Sequence, residues 1–353
     1  MTLEQKLKEA LERALSVNTF PGYAAAIVTP TSIKTFAGGH HTYEVSSKRI
    51  TEATLYDVAS LTKIIAPMAL AMKMIDTGRL HYDDPVWKYI PEFVTDKYKA
   101  HVTVKHLLTY TLEYDVPHGA KSLMKELTPE ELALRMLTLP LRVMPGTSYV
   151  YSNITAFILT QLIERASGED FYTQVAREVF TPLGMSTATF TPSQERWSSI
   201  PPTETTDDRG LVQGFVHDES SYHLQSKNIC TGAAGIFASA VDVAHFLQMT
   251  ISNTAKGTSF FSNTMRKNWN TNQFPNLLPT LTPLGFGDSN NEMITEHSER
   301  FLVKGGFTGC FMIGDVENNI GIVVLSNLTY PMRPKERPEF TKLKEEILEM
   351  LLG

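Results

Sequence analysis

The stretch DVASLTK, residues 57–63, puts Ser60 three positions before Lys63. Serine and lysine are both common, so such a tetrad is expected about once by chance in a chain of this length. A second copy, Ser122 to Lys125 in KSLMKEL, is indeed present. Taken alone, Ser60 reads as easily as a helix cap. Its setting separates it from the second copy. The run TLYDVA leads into Ser60, and the long apolar segment SLTKIIAPMALAMKMIDTGRL follows. On a helix beginning near residue 60, positions i and i+3 share a face, so the Lys63 ammonium reaches back to the hydroxyl. A helix N-terminus also favours a developing oxyanion through its unpaired N–H groups and dipole. A serine hydroxyl is a weak nucleophile until a neighbour accepts its proton. Ser122 sits in a polar stretch flanked by charge and lacks this setting. Pro67, inside the Ser60 helix, removes one backbone bond to the Lys63 carbonyl and predicts a kink.

Two further motifs lie far along the chain. In PGTSYVYSNITAFILTQLIERASG, Tyr151 precedes Asn153 by two residues, at a loop-to-helix junction after Pro145-Gly146. A phenol and an amide there can serve one cavity, and a tyrosine beside a buried lysine can carry a proton. Taken alone, Asn153 is a helix cap and Tyr151 a core residue. Lys304-Gly305-Gly306 follows the apolar run FLV and precedes FTGCFMIGDV. Glycines at that point let a substrate approach an edge strand closely, and the next residue, Phe307, has a backbone N–H to offer an oxyanion hole. Taken alone, this is a glycine-rich turn with a solvated lysine.

In that order, at strand and helix junctions, the three motifs resemble the serine β-lactamase and penicillin-binding protein superfamily, in the class C-like branch where Y-x-N replaces S-D-N. The stretches FPGYAAAIV, YDVASLTK, GRLHYDDPVWKYIPEF, VKHLLTYT, PGTSYVYSN, VFTPLGMSTATF, GAAGIFASAVDVAHF and KGGFTGCFMIGD look like the family's landmarks in sequence order, over most of residues 20 to 327. The resemblance implies acyl transfer through an acyl-enzyme on Ser60, with Lys63 and Tyr151 together moving the proton. It implies that Asn153 orients Lys63 and the substrate, and that Lys304 supplies positive potential. The N–H groups of Ser60 and Phe307 are implied as the oxyanion hole, beside Gly305 and Gly306. No metal or organic cofactor is implied. The substrate class is a small-molecule ester, β-lactam or D-amino-acid peptide. The preferred reading is an esterase or weak β-lactamase. The alternatives are a D-alanyl-D-alanine carboxypeptidase or penicillin-binding protein, and a non-turnover β-lactam sensor or scaffold. Two departures bear on substrate: Tyr110-Thr111-Leu112-Glu113 stands where the family often has Thr-Ser-Gly, and Gly305 replaces a threonine that β-lactamases use toward the substrate carboxylate.

The rest of the chain sets the frame. Its 353 residues are 42% hydrophobic and 20% charged, ordinary for a globular protein, and the net charge of −6 with no basic stripe argues against a nucleic-acid surface. No run of 18 apolar residues spans a membrane. The N-terminal MTLEQKLKEALERALSVN reads as an amphipathic helix, not a signal peptide, so the chain as written is expected in the cytoplasm, or outside it if a leader was trimmed. Cys230 and Cys310 are read as buried thiols. There is no G-x-S-x-G elbow and no H-E-x-x-H, GDSN at 287–290 reads as a late loop, and His217 reads as a loop or core histidine. Strand-like YAAAIVTP and SIKTFAGG, a helical middle, polar 201–232, then three short β-rich runs and a closing amphipathic helix predict an α+β fold. It is an antiparallel sheet flanked by the terminal helices, made of residues 1–75 and 233–353, with a mainly helical insertion over 76–232.

Overall fold

Strands that run apolar without alternation are buried on both faces, and GYAAAIV is such a strand. The computed structural model describes residues 1–116, 120–255, 257–269, 271 and 300–353. Its central sheet has five strands: β1 (Gly22–Val28), β2 (Ile33–Gly39), β3 (Phe301–Gly305), β4 (Phe311–Asp315) and β5 (Ile320–Ser326). They run antiparallel in the order β2-β1-β5-β4-β3, so the N-terminal hairpin and the C-terminal meander meet at β1 and β5. Tyr23 pairs with Ser326 and Val28 with Gly321 in that central ladder.

The pleat sends successive side chains to opposite faces. Ala25, Ile27, Ile322, Val324, Phe311 and Ile313 pack on one face with Leu7 and Leu11 of α1 (Leu3–Ser16) and Leu343 and Ile347 of the closing helix, Pro338–Leu352. Those two terminal helices also share the Arg13–Glu346 ion pair. The other face carries Ala24, Ala26, Val28, Met312, Val323 and Leu325 against the helices between the two halves of the sheet. That second core is continuous from the sheet through Leu107, Phe157 and Phe246.

The segment after Ser60 departs from a regular helix. Ala59–Leu61 is a 3-10 turn, Ile64–Met68 is a π-turn, and only Ala69–Asp76 (α2) is α-helical. Pro67 lies inside the π-turn, where its missing N–H and its ring displace the normal ladder. The expected kink is therefore a local change of helical type. Pro67 also has a packing partner, because a side chain on Gly232 would sit 2.6 Å from its ring. The polar stretch 201–232 is more ordered than its composition suggests. It holds a short hairpin, Glu204–Thr206 with Gly210–Val212, and a helix at Glu219–Gln225. Asp218 caps that helix by accepting from the Ser221 N–H.

Capping boxes form at Thr128 with Glu131 and at Ser239 with Asp242. Cys230 and Cys310 are buried free thiols, and burial pushes the Cys310 thiol up to about 12. Among the described residues, no helix is long and apolar enough to cross a membrane.

Ile347 is fully buried between α1 and the sheet. Replacing it with alanine is expected to lower stability by about 2–5 kcal/mol, read as a lower urea midpoint at unchanged slope.

Candidate active site

Ser60 sits in the 3-10 turn immediately after Ala59, whose φ is +47°. A non-glycine residue in the left-handed region is strained and persists only where its surroundings hold it. Asp57 supplies that hold. Its Oδ1 accepts from the Ala59 N–H at 2.8 Å and its Oδ2 from the His217 N–H at 2.7 Å. Its own carbonyl accepts from the Thr308 hydroxyl at 2.8 Å. Burial raises the Asp57 pKa to about 6, partly opposed by those two N–H donors. Three separate segments are thus tied to one buried residue three positions before the nucleophile candidate. Spacing along the chain carries no sign of this role.

Lys63 is 1% exposed, and its ammonium donates to Ser60 Oγ at 3.1 Å and to the Ala233 carbonyl at 2.6 Å. Burial lowers its pKa to about 8, against the opposing pull of the Asp218 carboxylate. An amine with that pKa is substantially neutral just above neutrality, as a general base must be. The part played by Ala233 has no signal in the sequence. It belongs to GAAG, 232–235, which packs on Pro67 through Gly232 and is fixed by the Gly232 N–H on Thr160 Oγ1 at 2.9 Å.

Tyr151 is 38% exposed and lies between two cations, with Lys63 Nζ 5.2 Å and Lys304 Nζ 4.3 Å from its ring centre. The loop that presents it is pinned to the variant stretch that begins at Tyr110. The Val150 N–H bonds the Tyr110 carbonyl and the Gly146 N–H bonds the Thr111 carbonyl. Tyr110 is buried with φ +55°, and its ring lies 5.2 Å from that of Tyr151. The altered stretch therefore buttresses the tyrosine.

Asn153 corrects one expectation. Ser152, not Asn153, caps α3 (Asn153–Ser167), accepting from the Ile154 N–H at 3.1 Å. The Asn153 amide nitrogen donates to Asp218 Oδ2 at 2.9 Å and lies 3.4 Å from Ser220 Oγ. The Lys63 ammonium makes its hydrogen bonds to Ser60 and Ala233, so the orienting contact expected of Asn153 is made by a backbone carbonyl instead.

The third motif arrives on the edge strand β3. Lys304 pairs with Met312, so the pleat sends its side chain to the face that carries the Ser60 segment. Lys304 is itself buried. Gly306 has no room for a side chain, since a Cβ there would lie 2.6 Å from the Val58 carbonyl oxygen and 3.3 Å from the Ala59 Cβ. The glycine thus lets the end of β3 touch the turn that carries Ser60. Gly305 is the last residue of that strand, opposite Phe311. Phe307 is 44% exposed, with Arg333 and Arg337 against its ring and its carbonyl bonded to Arg337 at 2.8 Å. Among the described residues, the backbone N–H groups of Ser60 and Phe307 donate to no protein acceptor.

The remaining sequence candidates fall elsewhere. Ser122 is exposed on the short helix Ala120–Leu123, and GDSN at 287–290 lies outside the described residues. His217 is buried, with its Nδ1 at 2.9 Å from Thr203 Oγ1, and burial lowers its pKa to about 4. It is a structural histidine that anchors Asp57.

Known proteins resemble this chain. The family model described as Beta-lactamase matches residues 7–345. An Escherichia coli (strain K12) protein, named provisionally as a D-alanyl-D-alanine carboxypeptidase, is 26% identical over 79% of this chain and 70% of its own. Esterase EstB of Burkholderia gladioli is 29% identical over 57% of this chain and 58% of its own. A solved structure, EstCE1, described as a hydrolase with promiscuous acyltransferase activity, superposes with a TM-score of 0.77 at 19% identity, covering 99% of this chain and 98% of that one. That last likeness bears on the fold alone, and it is the β-lactamase/transpeptidase-like fold. With its family model matched over nearly the whole length, the chain belongs to the beta-lactamase family of serine hydrolases.

Proposed function

We propose that the protein hydrolyses small esters through an acyl-enzyme on Ser60, with β-lactams as weaker substrates. The observation that carries this reading is the direct hydrogen bond from a buried, low-pKa Lys63 to the Ser60 hydroxyl. Neutral Lys63 takes the proton as Ser60 Oγ attacks the ester carbonyl. The oxyanion is received by the N–H groups of Ser60 and Phe307. Lys63 and Tyr151 return the proton to the leaving alcohol, and a water then repeats the sequence to release the acid. Lys304, against the Tyr151 ring, supplies positive potential on that side of the cleft. Asn153 and Gly305 line the substrate side of the cleft in this scheme.

Gly305 separates esters from β-lactams. A hydroxyl at that position would give a substrate carboxylate one charge-assisted hydrogen bond, worth about 1.5–3 kcal/mol. A neutral short-chain ester loses nothing without it. Burkholderia EstB, an esterase by name, supports the ester reading. A second reading, a D-alanyl-D-alanine carboxypeptidase, is favoured by the name of the Escherichia coli relative and by the buried cation at Lys304.

Ser60→Ala is expected to abolish labelling by a fluorophosphonate, and labelling that persisted would remove Ser60 from the mechanism. Cleavage of p-nitrophenyl butyrate is expected to exceed that of nitrocefin, and Gly305→Thr to move the ratio toward nitrocefin by roughly tenfold to a hundredfold. Efficient nitrocefin turnover with negligible esterase activity would refute the ester preference, and release of D-alanine from a D-Ala-D-Ala peptide would support the second reading.

The protonation state of Lys63 sets the pH dependence. Only the neutral amine accepts the serine proton, so kcat/KM for a non-ionising ester is expected to rise with pH and level off above about 8. A flat profile from about pH 6 to 9.5 would remove Lys63 as the base.

A further inference from the structure

Asp218 determines what the Asn153 side chain can recognise. A carboxylate has no proton to give, so the group that faces it must be the amide NH2 of Asn153. That NH2 lies 2.9 Å from Asp218 Oδ2 and 3.4 Å from Ser220 Oγ, which leaves neither partner ambiguous about which end of the amide it meets. Asp218 cannot swing to release it. Its other oxygen, Oδ1, accepts from the Ser221 N–H at 2.8 Å and from the Ser220 hydroxyl at 2.6 Å. The preceding residue, His217, is held through its own N–H by the buried Asp57. The carbonyl oxygen of Asn153 points away from Asp218, because the two ends of a planar amide diverge, and among the described residues it accepts no hydrogen bond. The Lys63 ammonium makes its hydrogen bonds to Ser60 and Ala233 and not to this oxygen.

We propose that Asp218 is a specificity-determining residue that presents Asn153 to the substrate as a hydrogen-bond acceptor, selecting esters whose acyl chain carries a hydrogen-bond donor, such as a hydroxyl or N–H, near the scissile carbonyl. An asparagine free to turn would offer its NH2 and welcome an acyl chain bearing a carbonyl or ether oxygen. Here that donor is already taken, and an acyl acceptor meets a carbonyl oxygen backed by a carboxylate. The two lone-pair groups repel, and neither is satisfied. The inference deepens the proposed function and rests on Ser60 being its nucleophile.

The test uses a matched pair of uncharged esters, methyl D-lactate with a hydroxyl donor and methyl (R)-2-methoxypropionate with an acceptor only. Hydrolysis is followed by acid release. Wild-type protein is expected to prefer the lactate by about tenfold or more in kcat/KM. Asp218→Asn removes the charge and lets Asn153 turn, so the preference is expected to fall toward unity while Ser60 still labels with a fluorophosphonate. A merely structural role for Asp218 would lower both rates together and leave the ratio unmoved. Ser220→Ala, which removes one tie on Asp218, gives a partial fall and serves if Asp218→Asn does not fold. Wild-type protein that labels at Ser60 yet shows no preference for the lactate, whether it cleaves both esters or neither, overturns the proposal. So does an unchanged ratio in folded Asp218→Asn. Loss of Ser60 labelling in the wild type would instead overturn the proposed function itself.

Discussion

An ammonium group almost wholly removed from water, hydrogen-bonded to no carboxylate among the described residues, is the constraint on which the centre of this molecule depends. Burying a charge is expensive unless it is paired, and among the described residues Lys63 hydrogen-bonds a serine hydroxyl and one backbone carbonyl. The protein resolves the cost by lowering the pKa rather than by adding an anion at contact distance. The same arrangement that makes the lysine uncomfortable as a cation suits the proton-accepting part proposed for it. A carboxylate in direct contact would have stabilised the charged form and removed that use.

Holding such a group requires rigid surroundings, and these are drawn from distant parts of the chain. Asp57 clamps the strained turn at Ala59 and ties it to the loops at His217 and Thr308. The π-turn around Pro67 packs on Gly232, which places the Ala233 carbonyl over Lys63. Gly306 brings the edge strand into contact with the Ser60 turn where any side chain would collide with Val58. The central sheet makes this possible, because β1 and β5 join the two ends of the chain and leave β3 at the edge facing the Ser60 segment. Burial of that sheet by α1 and the closing helix on one face frees its other face to carry the site.

Much of this is legible in the order of residues alone. The unbroken apolar strands, the capping signatures at Thr128 and Ser239, and the order of the three motifs depend on local chemistry that neighbouring residues display. The terminal helices can be placed because α1 and the residues of the closing helix carry apolar positions at helical spacing. The helical type after Ser60 is partly legible, since a proline cannot sit in a regular ladder. Proline chemistry calls for a kink, whereas the π-turn depends on what Pro67 packs against. The hairpin and helix within 201–232 leave no apolar pattern, because short polar elements there are held by capping and ladder bonds.

The sequence by itself singled out Ser60 and Lys63 as candidates, because they lie one turn apart, their relation is local, and two further motifs follow them in order. Only the tertiary structure decided how those residues are held and which way they face. Ala233 replaced Asn153 as the partner of Lys63, Asp218 captured the Asn153 amide, and Tyr110 came to rest against Tyr151. Each of these contacts joins residues far apart in the chain. Hydrogen-bond partners at such separations are chosen by backbone placement to within a fraction of an ångström, and no spacing rule along a chain carries that information.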